Sequence, residues 1–573
     1  MRLLVAILLL CSSAFAQSNP TITGGPQNAA SNATPGQAND GISQGGMFVV
    51  FGRDMGPTNL KLAGFPLVAN FENTSVRIMV NGANYDALMI YSYATQVAAI
   101  LPSNVPKGTG TLTVTYQGRT SPPTPIKVVG NAFGIFTRNQ VGTGPAIVQN
   151  YNSATDTPTN SYIDALHPGQ VGIMWGTGLG ATTLNEAAGP VPGDMPNLNV
   201  EVYVGGKLAT LSYRGRSGCC AGIDQINFTT PTGVEGCAVP LAVRVNGVVS
   251  NFTTVSVTPS GKVCSDATGL SAPDLQSVVN GNGLTIGNVN IFHATVSFPT
   301  IGISGAADFA NAKVQRFTGP LDVLSYIHGA VATTEGTPSV GSCYAAPFVF
   351  DGNVLNAVFP DVPQASSVRA INAGSQIFFT GPKGQAFVDR IDENNGVGTP
   401  SYNYTAVIGG GIPGLGATLP DYIVPGSYTV ANGSGSSQGV GIGPFTASLT
   451  IPATIPTWTN QASIAEVQRS QNLQITWTPG ASNAVVGIVG SSVDTFTNAG
   501  MQFLCAARAD VGTFTVPSWV LSAMPASGQS GVIPVGFLQF VVAQPQPARF
   551  TATGLDVGFY QWFSTTIKGL SYK

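Results

Sequence analysis

One pattern occurs twice in this chain, first in Val76-Arg77-Ile78-Met79-Val80-Asn81-Gly82 and again in Val200-Glu201-Val202-Tyr203-Val204-Gly205-Gly206. Each stretch alternates apolar residues with other residues and ends in a two-residue turn sequence, which is typical of a strand that leads into a tight hairpin. Because alternation places every second side chain on the same face, each strand is expected to bury one face. The two stretches lie 124 positions apart and indicate an internal repeat of a β-rich unit.

The repeat continues on both sides of these strands. At the same offset of 124, Phe51-Gly52-Arg53-Asp54-Met55-Gly56 matches Trp175-Gly176-Thr177-Gly178-Leu179-Gly180. Beyond five inserted residues around Cys219-Cys220 the offset becomes 129, and Gln96, Pro102 and Gly118 match Gln225, Pro231 and Gly247. We therefore expect one domain over residues 41–130 and a second over residues 168–266, with a flexible lead-in at 17–40 and a turn-rich connector at 131–167.

The composition favours β structure throughout. Charged residues make up only 9% of the chain, whereas 71 glycines and 40 prolines interrupt it, and 43% of the residues are hydrophobic. Long helices need more Glu, Lys and Arg than this chain has. Short alternating segments separated by Gly and Pro turns are typical of β-sandwiches. The predicted fold class is therefore all-β, as tandem immunoglobulin-like β-sandwiches.

The second half carries further strand signals without a visible repeat. Residues 290–298 alternate, with Phe292 and Phe298 on one face,. Residues 473–477 open a further sandwich-like unit. We expect a β-rich domain over residues 267–450 and a C-terminal β-sandwich-like domain over residues 451–573, and these two units could pack as one body.

Five short motifs follow one another in and around the second copy: Phe133-Gly134-Ile135-Phe136-Thr137, Gly142-Thr143-Gly144-Pro145-Ala146, Pro168-Gly169-Gln170, Gly176-Thr177-Gly178-Leu179-Gly180 and Asp224-Gln225-Ile226-Asn227-Phe228. With these motifs, residues 41–266 resemble the tandem immunoglobulin-like units, related to the IPT/TIG class, of secreted acidobacterial proteins (the Solibacter-type C-terminal domain family). The resemblance implies export and a sandwich fold but no particular activity. The first copy departs from the pattern, because Thr95-Gln96-Val97-Ala98 stands where the second has Asp224-Gln225-Ile226-Asn227.

The N-terminus has the layout of a secretory signal peptide over residues 1–16. Arg2 supplies a positive charge, residues 3–10 are apolar, and Ala14-Phe15-Ala16 is a small-x-small cleavage signal,. The apolar run is too short to span a membrane, and no other stretch approaches the roughly 20 residues required. We expect a secreted or cell-envelope protein without a transmembrane span. Lipoprotein processing at Cys11 is the alternative, which the large Leu10 before it disfavours.

Six cysteines remain once the leader is removed: Cys219, Cys220, Cys237, Cys264, Cys343 and Cys505. An even number in an exported chain favours disulfides over metal ligands or free thiols. Because adjacent cysteines rarely bridge each other, Cys219 and Cys220 are expected to bond separately to Cys237 and Cys264, in an order that the sequence leaves open. Cys343 and Cys505 are the third candidate pair.

Two stretches match sequence patterns of catalytic or cofactor-binding loops but lack the flanking strand and helix that such loops need. Gly435-Ser436-Ser437-Gln438-Gly439 matches a nucleophile elbow but lies in a Gly/Ser-rich loop,. Gly409, Gly411 and Gly414 match a dinucleotide-binding pattern, yet Pro413 interrupts it and a turn is expected. His167, His293 and His328 are far apart and are interpreted as surface or hydrogen-bonded strand residues,. We predict that the protein is not an enzyme and carries no cofactor.

Other candidate sites are limited to two groups of residues. Asp389, Asp392 and Asn394 are the calcium candidate, because calcium takes oxygen ligands from such clusters, and a solvated turn is the alternative. Tyr560 and Trp562 are the ligand-binding candidates as an exposed aromatic platform, although the pattern favours the alternative, burial.

Further residues are expected to have structural roles. Trp175, Trp477 and Trp519 are expected in cores. Asp224 and Asn227 are expected to bond the backbone at strand ends.

These observations predict an exported, non-catalytic binding, adhesion or surface-structural protein, with recognition by loops at the domain ends. The net charge of −3 gives no electrostatic footprint for nucleic acid,, so an extracellular polysaccharide or a cell-surface protein are the partner candidates. The alternative is a secreted carbohydrate-active protein, marked by an exposed aromatic row or by a carboxylate pair in a groove. A mechanical envelope component would instead show smooth sandwich surfaces and self-association.

Overall fold

The computed structural model describes residues 18–190, 192–265, 283–317, 338–354, 357, 368–394, 400–412, 418–436, 441–544 and 546–573. The expected leader at 1–16 and His328 lie outside these residues. Within them the protein is all-β, as the composition predicts, and α-helix occurs only in short stretches of the described residues, such as the single turn Ser518–Leu521. Short 3-10 turns occur at Pro299–Ile301, Gln461–Ser463 and Ala509–Val511. No helix in this part of the chain is long and apolar enough to cross a membrane.

The first sandwich spans residues 21–129 and consists of two sheets. One sheet has the order Thr21–Ile22, Met47–Arg53, Gln96–Ile100, Leu88–Ser92 and Lys61–Leu62, with Gln27–Asn28 also pairing with Met47–Arg53. The other has the order Ile42–Ser43, Thr124–Val129, Gly108–Tyr116, Thr74–Val80 and Asn70–Phe71, with Arg119–Thr120 and Ala83–Asp86 beside it. Val76, Ile78 and Val80 are buried between the sheets, as their alternation predicts.

The second sandwich spans residues 134–257 and has the same plan. One sheet has the order Gly134–Ile135, Val171–Thr177, Asp224–Thr229, Thr210–Arg216 and Gly193–Asp194, with Val148–Tyr151 also pairing with Val171–Thr177. The other has the order Lys207–Leu208, Val200–Val204, Gly236–Val245 and Val248–Val249, with Thr253–Val257 also pairing with Gly236–Val245. Val200, Val202 and Val204 point into its core.

The segments expected to be a flexible lead-in and a connector instead complete the two sandwiches. Thr21–Ile22 pairs with the end of Met47–Arg53, and Gly134–Ile135 pairs with the equivalent end of Val171–Thr177. Gln27–Asn28 and Val148–Tyr151 pair further along the same two strands. Each repeat copy therefore begins before the boundary that the sequence suggested.

A glycine shared by the two copies makes room for these first strands. A Cβ atom on Gly52 would overlap the carbonyl oxygen of Thr21. In the second copy, a Cβ atom on Gly176 would overlap the carbonyl oxygen of Gly134 and the ring of Phe133. The glycine in both repeats is therefore explained by the close approach of a neighbouring backbone.

The second half of the chain builds one large sheet, named here the C-terminal sheet. Its fourteen strands among the described residues include the ordered series Cys343–Val349, Ala499–Arg508, Val485–Asp494, Gly536–Ala543, Leu555–Gly569, Leu284–Phe298, Ile303–Phe317, Pro400–Gly411, Gly384–Asn394, Gln376–Gly381, Gly426–Ala431 and Thr446–Ile451. Val368–Ala370 and Ala548–Ala552 join this series from the side. Three small pairs lie apart from it: Glu466–Val467 with Ser571–Tyr572, Leu473–Thr476 with Thr513–Val516, and Gln529–Ser530 with Ile533–Pro534.

The boundary expected near residue 450 does not separate two sheets. Leu284–Phe298 pairs with Ile303–Phe317 on one side and, in parallel, with Leu555–Gly569 on the other. Residues from both expected units also share one hydrophobic core, in which Tyr404 and Trp477 are buried together. The two units therefore form one body, the arrangement that the sequence left open.

Candidate functional site

The six cysteines form three disulfides, but not all in the expected pairing. Cys219 bonds to its neighbour Cys220, and Cys237 bonds to Cys264. The expectation that Cys219 and Cys220 would bond separately to the other two was therefore wrong. Cys237 and Cys264 are both buried, whereas the adjacent pair lies in the loop between two strands of the same sheet. Cys343 and Cys505 are joined across neighbouring strands.

Tyr560 and Trp562 do not form an exposed aromatic platform, because both side chains are buried, as the favoured alternative has it. Their exposed fractions are 0% and 4%, and both belong to the core of the C-terminal sheet. Burial raises the pKa of the Tyr560 hydroxyl. Trp477 is buried as expected, and its indole N–H donates to the carbonyl of Ala509 at 2.8 Å. Trp175 is half-buried and donates to Gln149 Oε1 at 3.0 Å.

The calcium candidates lie in a strand, so the expected turn is wrong. Asp389 and Asp392 are three residues apart in Gly384–Asn394, which places their side chains on opposite faces of the sheet,. Asp389 accepts a hydrogen bond from Gln376 at 2.8 Å, and Asp392 pairs with Arg390 at 2.7 Å. The side chain of Asn394 lies outside the described residues. Within the described part of the chain, no three metal-binding side chains come together.

The two sandwiches meet at a polar joint, defined here as Ser103 of the first sandwich and Glu186, Arg216 and Asp224 of the second. Glu186 accepts hydrogen bonds from the backbone N–H of Ser103 at 3.0 Å and from its hydroxyl at 2.9 Å. Arg216 forms an ion pair with Asp224 and lies 3.8 Å from Glu186. The Arg216 side chain is 7% exposed, so the joint is an ion network largely removed from water.

Asp224 is the buried end of this network. Its carboxylate is fully buried, pairs with Arg216 and accepts the backbone N–H of Leu179 at 2.7 Å. Burial raises the pKa of Asp224, and the Arg216 charge opposes that rise. Because an unpaired buried carboxylate is strongly unfavourable, Arg216 is needed beside Asp224 for the second sandwich to keep this arrangement. Both residues belong to the second sandwich, and their network reaches the first sandwich through Glu186.

Hydrogen bonds from the first strands of the fold reinforce the joint. The Asn28 amide donates to the carbonyls of Ala132 at 2.8 Å and Thr177 at 3.2 Å. The Thr177 hydroxyl accepts the backbone N–H of Met47 at 2.8 Å and donates to the carbonyl of Gly222 at 2.6 Å. A side chain of each sandwich therefore bonds directly to the backbone of the other.

An open cleft lies beside the polar joint. Leu184, Glu186, Arg216 and Cys220 are among the residues that line it. Because Asp224 and Ser103 already engage the two charged groups, the cleft places no free charge in front of a ligand.

The second sandwich meets the C-terminal sheet at an aromatic joint, defined here as Tyr203 and Phe252 of the sandwich with Tyr344 and Trp519. The Trp519 ring stacks on Tyr203 with centroids 4.2 Å apart and on Phe252 at 5.7 Å. Phe252 also meets Tyr344 edge-on at 6.3 Å. Burial raises the pKa of Tyr344 to about 12. Trp519, expected in a core, is therefore half-buried between two domains.

A histidine–carboxylate pair crosses the first hairpin of the C-terminal sheet. His293 and Asp308 are directly opposite in register, and His293 Nδ1 lies 2.7 Å from Asp308 Oδ1. The Asp308 side chain is 1% exposed, whereas that of His293 is 33% exposed. The hydrogen bond that the His293 ring donates to Asp308 raises the pKa of His293, and partial burial opposes this rise.

Asp308 is itself fixed by the backbone. Its second oxygen, Oδ2, accepts the N–H groups of Tyr422 at 2.7 Å and Ile423 at 2.8 Å. A Cβ atom on Gly409 would lie 2.7 Å from this oxygen and 2.5 Å from the nitrogen of Tyr422, so glycine leaves the space in which these bonds form. Gly409 and Gly411 thus lie in a strand rather than in the expected turn, whereas Gly414 and Ser437 lie outside the described residues.

Thr295 completes a row of three polar side chains on this hairpin. It is exposed, and its hydroxyl lies 3.3 Å from His293 Nε2. Alternation in Leu284–Phe298 places Thr295 and His293 on the same face, opposite to Phe292. The sequence analysis missed this group because it considered each histidine on its own. A hairpin turn at residues 299–302 could have indicated the pairing, because His293 and Asp308 lie at equal distances in sequence from its centre.

The first sandwich exposes an apolar edge, defined here as Leu60, Leu62, Phe65 and Val68. Their exposed fractions are 55%, 70%, 48% and 45%. Lys61–Leu62 is the last strand of its sheet and pairs only with Leu88–Ser92 among the described residues. Contiguous exposed apolar side chains at a sheet edge are typical of interaction sites.

Comparison with known proteins adds little to this geometry. No protein-family model matches the chain, so its resemblance to the acidobacterial family stays a prediction. No curated protein matches it either.

Three solved structures illustrate the weak similarity of the chain to known folds. SGBP-B of the Bacteroides ovatus mixed-linkage glucan utilization locus, in complex with a mixed-linkage heptasaccharide, is 11% identical, with 87% of this chain and 92% of that one covered and a TM-score of 0.13. The I-band fragment I67–I69 of titin is 7% identical, with 77% and 100% covered and a TM-score of 0.13. Immunoglobulin domains 1–4 of Sidekick-1 are 9% identical, with 94% and 98% covered and a TM-score of 0.12. At these TM-scores the matches carry no argument about function.

Proposed function

We propose that the protein is an exported, non-catalytic adhesion or surface-structural protein that holds a recognition edge on a rigid tandem of sandwiches. The polar joint is the observation that carries this proposal. Domains within one chain usually move relative to each other unless their interface is extensive. Here Glu186, part of a buried ion network in the second sandwich, accepts two hydrogen bonds from Ser103 of the first. Asn28 and Met47 of the first sandwich also bond to Thr177 of the second.

A fixed arrangement suits adhesion, because a surface that is already ordered loses less conformational entropy on binding. The three disulfides support an extracellular location, since such bonds persist in oxidising compartments,. Removal of a signal peptide at residues 1–16 remains part of this proposal.

The apolar edge is the proposed recognition surface, and a cell-surface protein is the proposed partner. An edge strand offers backbone hydrogen bonds that a strand of another protein can complete. Leu62, which is 70% exposed on that strand, would lie in the interface.

The test uses the mature full-length chain and bacterial cell-surface preparations, each treated with protease or with periodate. Protease should abolish binding and periodate should not. Leu62→Asp should weaken binding at least tenfold, whereas Leu208→Asp should not, although Leu208 is similarly exposed at 61% on a two-residue edge strand of the second sandwich. Binding that Leu62→Asp leaves unchanged would rule out the apolar edge as the recognition surface.

A polysaccharide-binding role is the second candidate. One observation favours it: Phe387 is 52% exposed on the C-terminal sheet and lies opposite Phe378 in register. Phe378 is half-buried, so the pair supplies one exposed ring of the aromatic row that this role requires,. Loss of binding after periodate treatment, together with sensitivity to Phe387→Ala, would favour this role over the first.

A further inference from the structure

We propose that Thr295 is an acyl-acceptor site, whose hydroxyl is activated by His293 and attacks carboxylic esters. This chemistry belongs to the C-terminal sheet and does not depend on the binding role proposed above. It adds a covalent attachment point to a protein whose sequence motifs gave no reason to expect one.

The arrangement has the three parts that an activated hydroxyl requires. The hydroxyl of Thr295 is 3.3 Å from Nε2 of His293, a separation that is common before substrate binds,. The other ring nitrogen is 2.7 Å from Asp308. With Asp308 accepting at Nδ1, the proton is held there and Nε2 is left as the acceptor for the hydroxyl proton.

The support behind this row is rigid. Both oxygens of Asp308 are engaged, one by His293 and the other by the backbone N–H groups of Tyr422 and Ile423. A carboxylate held in this way cannot rotate away from the imidazole without losing two hydrogen bonds. Asp308 is therefore a positioning residue, and its burial keeps water from competing for His293.

Exposure decreases along the row in the order that a reaction needs. Thr295 is exposed, His293 is one-third exposed, and Asp308 is buried. An ester can therefore reach the hydroxyl directly, whereas a purely structural histidine–carboxylate pair would need no accessible hydroxyl at Nε2.

The step balances without an added oxidant or cofactor. A bond forms between Thr295 Oγ1 and the acyl carbon of the ester as His293 Nε2 takes the hydroxyl proton. The bond between the acyl carbon and the departing alcohol oxygen breaks, and that oxygen leaves with the proton from His293. The products are an ester on Thr295 and a free alcohol.

The reaction should be faster at higher pH, because only neutral His293 can accept a proton. Four groups face the imidazole: Asp308 on the neighbouring strand, Ser564 opposite in register on the parallel strand, Thr295 on its own strand and Asp421 nearby. Asp308 is the main cause of the raised pKa of His293. The rate should therefore rise with pH through a midpoint above the ordinary histidine value.

The experiment treats the mature full-length chain with p-nitrophenyl acetate and maps the acetylated residues by peptide mass spectrometry. Acetylation of Thr295 should exceed that of Thr109, an exposed threonine in the first sandwich, by at least tenfold. His293→Gln should slow it about 100-fold or more, the usual effect of removing a general base. Thr109→Val, in the first sandwich, should leave acetylation of Thr295 unchanged.

Two further variants keep the proposal testable if His293→Gln disturbs folding. Thr295→Val alters only an exposed position and should remove the adduct and the phenolate released with it. Asp308→Asn should move the midpoint of the pH–rate profile to lower pH, an effect that loss of packing alone would not produce. Equal acetylation of Thr295 and Thr109, or acetylation that persists in His293→Gln, would overturn the proposal.

Discussion

The two sandwiches share one plan but differ where they touch each other. In the first, residues 93–95 connect the strands Leu88–Ser92 and Gln96–Ile100. In the second, residues 217–223, which include the Cys219–Cys220 bond, connect the equivalent strands. The longer loop reaches the first sandwich, where Gly222 lies against Ile100 and Met47 and its carbonyl accepts the Thr177 hydroxyl.

The residues that differ between the two repeat copies lie at this same end of the sandwich. Asp224, the buried end of the polar joint, stands where the first copy has Thr95. The core strands need the same alternating pattern in both copies, whereas only the second copy must hold a neighbour at this end. Differences between repeat copies thus mark an interface, and the shared positions mark the fold.

Among the substitutions that distinguish the two sandwiches, removal of Arg216 should reduce stability the most. Arg216→Met leaves the fully buried Asp224 unpaired and should destabilise the second sandwich by about 3–5 kcal/mol,. Arg77→Met is the control in the first sandwich, because Arg77 and Asp86 form a pair whose side chains are 58% and 44% exposed. The control should cost no more than about 1 kcal/mol.

Peptide-resolved hydrogen exchange measures both effects, since it reports the opening free energy of each copy separately. Similar losses for Arg216→Met and Arg77→Met would show that the joint is not a buried ion network.

The two disulfides of the second sandwich should differ in their effect. Cys237 and Cys264 are 27 residues apart, so the paired Cys237→Ser/Cys264→Ser variant should lose about 2–4 kcal/mol, because the bond limits the unfolded chain,. Cys219 and Cys220 are neighbours and close no loop of chain. Their paired serine variant should therefore unfold in nearly the same denaturant concentration as the parent. A larger loss of stability on replacing Cys219 and Cys220 would show that their bond stabilises the loop, contrary to this prediction.

Replacing the shared glycines should cost less stability than removing Arg216 or the Cys237–Cys264 bond, and should cost about the same in both copies. Gly52→Ala and Gly176→Ala each force a methyl group into a neighbouring backbone, and each should cost about 1–3 kcal/mol,. Gly64→Ala is the control, because a Cβ atom there meets nothing within 4 Å. Thermal unfolding checks the three variants, and a Gly176→Ala protein as stable as Gly64→Ala would contradict the equivalence of the first strands.

Much of the fold could be predicted from the sequence because it depends on local patterns. The alternation in residues 76–80 and 200–204 and the turn glycines identified the repeat and the all-β class. The first strands were missed because Thr21–Ile22 and Gln27–Asn28 are too short to show a period. The single C-terminal sheet was missed because Leu284–Phe298 finds its parallel partner in Leu555–Gly569, a pairing that no local pattern encodes.

The sites were less predictable than the fold. Tyr560 and Trp562 occur in an aromatic run that looks the same whether it is exposed or buried. Asp308 is one of 26 acidic residues, and only its register opposite His293 distinguishes it. Arg216 and Asp224 become a joint only when a second domain covers them, so composition could not reveal their role.

The measurement that tests the account most directly is the distance distribution between spin labels on the two sandwiches. Labels at Ala83→Cys and Leu208→Cys occupy exposed positions of the first and second sandwich. A rigid tandem should give one narrow distribution in the otherwise unchanged protein and a broad one when Arg216→Met is added. A broad distribution in the unchanged protein, insensitive to Arg216→Met, would contradict a rigid tandem held by the polar joint.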